Sequence, residues 1–249
     1  MWVILKEGGG SDCTNAGLVR VCAVISQLIP DRVFYAPGDN DWTDCDHDRL
    51  SNPISELARL DRLRKVFFGQ PLQLPAGWAY HRQEGFPENA LWQLGGVKFA
   101  TLHVVGTANG RVEIKRYNMA VALAAVKAHH QANAVWLRQA FAAAESAQAL
   151  VVALQVDTTV ARWSGPCSGE RRSKCDAFAS LREQLRKGAA ELGKPVLVAH
   201  GDTGRFCVDR EFGGRRAPNL WRLNNRGDYV MYAAIVVAVE KGTPFSFFR

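Results

Sequence analysis

Three apolar runs in this chain stop in the same way, each in a short polar turn. RVFYA runs into PGDND (residues 32–41), ALVVAL into QVDTT (149–159) and PVLVA into HGDTG (195–204). A short apolar run closed by turn residues reads as a buried strand. Helical spacing fills the intervals between such runs, in AGLVRVCAVISQLI and in CDAFASLREQLRKGAAELG, which ends at Gly193 before Lys194-Pro195. Strands joined through helices pair in parallel and gather their loops at one end of the sheet. That arrangement constrains the chain to an α/β fold with its polar turns on one edge. It also predicts that Asp39, Asn40, Asp41, Gln155, Asp157, His200 and Asp202 converge there, where ligands of open α/β sheets bind.

The other elements are less uniform. WVIL, at Trp2 to Leu5, reads as a strand. SNPISELARLDRLRKVF reads as a helix capped at Ser51 or Asn52 with Pro53 in its first turn. Residues 69 to 90, with Pro71, Pro75 and Pro87, read as loop. LWQLGGVKFATLHVVG reads as a hairpin turning near Gly95-Gly96, and the Ala-rich stretch after it as one long helix, or two joined near His129. RFCVD, NLWRL, YVMYAAIVVAV and the tail TPFSFF add short strands. No repeat or low-complexity linker divides the chain, so residues 1–249 are expected to form one layered domain with a mixed sheet.

The formal net charge of +7 permits an anionic partner without choosing one. No apolar stretch reaches the roughly 20 residues of a membrane span. Basic residues interleaved with aromatics on a sheet face are lacking, which argues against a nucleic-acid module. KEGGGSDC lacks the GK(S/T) ending of a phosphate-binding P-loop, and there is no GxSxG. Six cysteines occur with no CxxC pair, so a structural zinc site is not indicated. Cys13 and Cys45 each follow a strand by a loop at one sheet edge and are expected to bridge. Cys167 and Cys175 bracket a short basic loop and are the second candidate pair, and Cys22 and Cys207 read as core. Disulfides would favour a periplasmic or secreted home.

Carboxylates, amides and imidazole at strand ends can hold Mn, Fe, Zn or Mg. The order of GDND, an apolar strand with a polar end, and an HGDT turn is similar to the calcineurin-like metallophosphoesterases. It most resembles a bacterial branch with GDNxWxDC, matched here by GDNDWTDC at 38–45. FATLHVVGTANG, WLRQAFAAA and NLWRLNN…FSFF also resemble that branch, and the likeness runs from about Gly8 to the end. It implies a four-layer α-β-β-α sandwich with a two-metal centre that hydrolyses phosphate mono- or diesters of small molecules. By position it places Asp39, Gln155 and Asp202 as metal ligands and Asn40 and His200 as catalytic residues. His103 and Arg205 stand on the substrate side, although His103 reads equally as a satisfied buried histidine. Gly204 stands where the branch carries a histidine. The family's D-x-H or D-x-Q strand and GDxxD loop have no counterpart before LKEGGG, and Asp12 is too late to replace the bridging Asp. The resemblance therefore implies a missing N-terminal strand, impaired metal binding and self-association at the edge left beside WVIL. The alternative is a non-catalytic phosphate- or anion-binding protein on the same fold.

Other polar residues carry plainer expectations. Asp44, Asp46, His47 and Asp48 are expected to be solvated or to cap the next helix, and Asp41 and Trp42 to pin the turn. His129 and His130 are expected at the surface. Arg171, Arg172, Lys174, Arg205, Arg210, Arg215 and Arg216 are expected to form a solvated basic face.

Overall fold

The fold rests on a computed structural model that describes residues 2–5, 13–28, 31–47, 50, 52–112, 114, 116, 118–160, 163–202, 204–225, 236–238 and 245–248. The loop glycines Gly8 to Gly10, and Asp12, Asp48 and Ser51, lie outside them.

The apolar runs form strands as their pattern predicts. A parallel pair joins β1 (Trp2–Leu5) to β2 (Val33–Ala36) across helix α1 (Asn15–Leu28). Helix α2 (Glu56–Phe67) follows two short 3-10 turns, Asp39–Asp41 and Thr43–Asp46. Strands β3 (His81–Gln83), β4 (Phe86–Leu94) and β5 (Val97–Thr101) run antiparallel. Gly95 and Gly96 take φ of 56° and 80° in the tight β4–β5 turn, where side chains are disfavoured. Helix α3 (Met119–Ala144) leads to β6 (Ala149–Ala153), and α4 (Ala179–Leu192) leads to β7 (Val196–His200). Short strands β8 (Cys207–Asp209), β9 (Leu220–Asn224), β10 (Val236–Ala238) and β11 (Ser246–Phe248) complete the order.

Seven strands form one mixed sheet in the order β3-β4-β5-β6-β7-β9-β8, parallel from β5 through β9. Every residue of β6 is buried, which accounts for its unbroken apolar run. One face of the sheet packs on Trp136, Leu137 and Ala140 of α3 and on Leu185 and Ala189 of α4. On the other face Phe34 of β2 stacks on Trp92 at a centroid distance of 3.6 Å, and Phe245 packs with Val151, Leu197 and Leu223. Leu18 of α1 and Leu60 and Leu63 of α2 in turn pack with Tyr35 of β2. Among the described residues no helix is long and apolar enough to cross a membrane.

Some local expectations change. Helix α2 begins at Glu56 after the N-cap Ser55, with Pro53 outside it, because the N–H of Ile54 donates to the Cys45 carbonyl at 2.8 Å and holds that stretch extended. Residues 81–83 and 86–90 are strand, not loop; β4 is buried on both faces over 88–92, and Glu88 and Asn89 stand there where a strand pattern needs apolar residues. The Ala-rich stretch is one helix, started by the Asn118 side chain accepting from the N–H groups of Ala120 and Val121. Cysteine pairing follows the expectation, with Cys13–Cys45 and Cys167–Cys175 at Cα separations of 5.6 and 4.9 Å. Cys207 is exposed and Cys22 half-buried, so neither is a plain core residue.

Candidate functional site

The turns after β2, β6 and β7 meet at Gln155. Its side-chain Nε2 donates to Asp39 Oδ1 and to Asp202 Oδ1, each at 3.3 Å, and its Oε1 accepts from the Gly106 N–H at 3.2 Å. Asp202 Oδ2 accepts from the Asp157 N–H at 3.4 Å, and Asp39 Oδ1 accepts from the Asn40 N–H at 3.0 Å. The turn that carries Asp39 is pinned by Asp41, whose Oδ2 accepts from the Gly38 N–H at 2.9 Å. Asp202 stands at φ 80°, a left-handed conformation that costs energy for a non-glycine residue. Two carboxylates and an amide are thus drawn around one point. As an oxygen-rich set they suit a hard dication once the amide turns its oxygen inward.

His200 has a different placement from the catalytic one expected. It is fully buried, with Nδ1 2.9 Å from the Gly201 carbonyl and Nε2 3.3 Å from the Arg222 guanidinium. Nδ1 therefore donates and Nε2 accepts, and burial holds the ring's pKa below its ordinary value. Arg222 and His200 both face Asp157. Burial raises the Asp157 pKa, but the Thr159 hydroxyl and N–H, His200 and Arg222 outweigh it and hold the carboxyl low. Arg222 thus links His200 to the Asp157 carboxylate, and the Asp157 N–H holds Asp202. Arg205 is exposed, and Asn40 is half-buried beside Asp39. Beside these loops, Ala108, Val112, Val160, Trp163, Ala177 and Phe178 line a cavity of about 280 Å³. The Arg171, Lys174, Arg205, Arg210, Arg215 and Arg216 side chains are exposed, as expected, and Arg172 is half-buried.

A second polar group lies inside the molecule. Glu88, His103 and His129 are all buried, and their ligand atoms lie within 4.8 Å of one another, so the cluster could hold a metal ion. His103 Nδ1 is 3.2 Å from His129 Nε2 and 3.8 Å from Glu88 Oε1. His103 follows the buried of its two alternatives, and His129 does not take the surface position expected of it. His103 is 3% exposed and His129 9%, because His129 falls on the buried stripe of α3 with Val126, Ala132 and Asn133. Burial drives both rings down to a pKa of about 3. His130 is half-buried beside Arg111 and is pushed down to about 4, first by burial and then by that guanidinium. The inward stripe of α3 was readable from its spacing, whereas Glu88 was hidden by the irregular pattern of β4.

Asp46 also departs from the solvated role expected of it. It is fully buried and accepts from Arg116 through the backbone N–H (2.8 Å) and the guanidinium (2.9 Å). Glu56 is buried beside it, and burial followed by the Asp46 carboxylate pushes the Glu56 pKa up to about 7. Asp44 and His47 are half-buried. Comparison with family models, curated proteins and solved structures gave no match.

Proposed function

We propose that this chain is a metal-dependent phosphoesterase whose site is the meeting of Asp39, Gln155 and Asp202. The observation that carries the reading is the Gln155 amide bonded to both carboxylates from separate strand ends. The order of motifs supports it. So does the layering of α3 and α4, the seven-stranded sheet, the smaller strand pairs and then α1 with α2, which suits an α-β-β-α sandwich. A dication such as Mn, Fe, Zn or Mg, when bound, supplies charge neutralisation for phosphate oxygens and acidifies water. Asp39 and Asp202 would hold it, with Gln155 turning Oε1 toward it. Asn40 would orient the phosphate, and the exposed Arg205 would attract it.

Among the described residues the donor set is that of one metal rather than two. Gly204, at φ 82°, offers no side chain where a further ligand would stand, and weak turnover follows. The two disulfides suit an exported protein. Hydrolysis of a generic aryl phosphodiester with added Mn²⁺ tests the proposal: turnover should require the metal and be lost in Asp39→Ala. Metal-independent phosphate binding with no turnover would favour the anion-binding alternative, to which the same basic surface is suited.

A further inference from the structure

The cluster of Glu88, His103 and His129 is separate from the proposed phosphoester site and does not depend on it. We propose that these three side chains form a second metal site, taking a borderline first-row dication of the zinc type and locking β4, the segment after β5 and α3 together. The donors are one carboxylate and two imidazole nitrogens, a set that zinc accepts readily.

The spacing is close to what such an ion needs. Tetrahedral bonds of about 2.0–2.1 Å place neighbouring donor atoms about 3.3–3.4 Å apart. The two imidazole nitrogens are 3.2 Å apart and the His103–Glu88 pair 3.8 Å apart. Small side-chain rotations would bring all three donors to a common ion. Both rings are neutral at neutral pH, with pKa values of about 3, so binding displaces no imidazolium proton. The proton now shared between the rings moves to a nitrogen that faces away from the ion.

The surroundings already orient the donors. Arg64 grips both oxygens of Glu88, an outer partner that orients the carboxylate. Asn89 Oδ1 accepts from the His103 N–H and Asn133 Nδ2 donates to the His103 carbonyl, each at 2.8 Å, which fixes the backbone under that ring. Trp42 lies 5.3 Å from the His103 ring, and Phe86 lies 4.9 Å from the His129 ring. His103 Nε2 is buried and makes no hydrogen bond, so that nitrogen is free to take the proton displaced from Nδ1. A site this enclosed would take up its ion as the chain folds.

The test is refolding. The full chain, disulfides intact, is unfolded in guanidinium with a chelator and refolded with Zn²⁺ or Co²⁺, and loose metal is removed by gel filtration. The Asp39→Asn/Asp202→Asn variant removes the strand-end carboxylates, so metal it retains belongs to the interior. It should keep about one equivalent, show visible Co²⁺ absorption bands and lose part of the Trp42 fluorescence. His103→Gln and His129→Gln should each weaken retention at least about tenfold. A folded Asp39→Asn/Asp202→Asn variant that holds no metal would overturn the proposal, as would undiminished retention by folded His129→Gln. If the histidine variants do not fold, the unchanged chain decides: its unfolding midpoint must rise when it is refolded with zinc, and no rise counts against the site. The phosphoester reading stands or falls separately on turnover.

Discussion

A Cβ placed on Gly106 would lie 1.8 Å from Oδ2 of Asp39. The glycine is therefore the space into which the Asp39 carboxylate fits, while its own N–H holds the Gln155 amide. Gly106→Ala should push Asp39 out of reach of Gln155 and cost about 1–3 kcal/mol through overpacking. Divalent-dependent turnover should fall with it. Denaturant unfolding and the phosphodiester assay check both effects, and unchanged stability with full activity would count against this packing.

Glu56 gives a pH effect of definite sign. Its folded pKa of about 7 lies above the ordinary value of 4.5, so the native state prefers the protonated carboxyl. That contribution is fully present below about pH 4.5 and is lost as pH rises to about 7. Glu56→Gln stays neutral at every pH and should lack the decline, gaining on the order of 1–3 kcal/mol over the parent at pH 8 and little at pH 4. Thermal unfolding across that range reads the difference; parallel curves for the two proteins would refute it.

What the sequence disclosed was the part of the fold that obeys a period. The three strand ends, the Gly95-Gly96 hairpin and the pairing of Cys13 with Cys45 were all legible. So was the meeting of Asp39, Gln155 and Asp202, because parallel strands put their turns on one edge. The interior polar groups were not. Asp46 sits in a run of acids that looks solvated, and the distant Arg116 helps to offset its burial. Glu88 is likewise offset by Arg64, twenty-four positions away in sequence. Such pairs depend on tertiary approach, and no local pattern encodes them.

The two disulfides should differ in worth. Cys13–Cys45 spans 32 residues and Cys167–Cys175 only 8. A longer closed loop removes more freedom from the unfolded chain, about 3–4 kcal/mol for the first. The first also ties the residues before α1 to the turn bearing Asp39, aided by Arg59, which donates to the carbonyls of Asp41 (3.0 Å) and Thr14 (3.2 Å). Cys13→Ser/Cys45→Ser should lower the denaturant midpoint more than Cys167→Ser/Cys175→Ser and should also weaken activity. Equal losses from the two would contradict this ranking.

Without a bound metal, the buried histidine pair makes the fold sensitive to acid. His103 and His129 titrate near 3 in the folded chain but near 6.5 when unfolded, so the unfolded state binds more protons between those values. Their contribution is therefore complete above about pH 6.5 and is lost as pH falls toward 3. The slope reaches about 1.4 kcal/mol per pH unit for each ring. Protonating one ring would also place a charge beside the other ring and near Arg64, while Glu88, already held by Arg64, offers little relief. Acid unfolding should set in well above pH 3. His129→Gln keeps a hydrogen-bonding side chain without the titration, so its stability should fall less steeply between pH 6 and 4, by up to about 1.4 kcal/mol per pH unit. Unfolding midpoints measured at half-unit intervals would show this, and an unchanged slope in His129→Gln would mean that the acid sensitivity arises elsewhere.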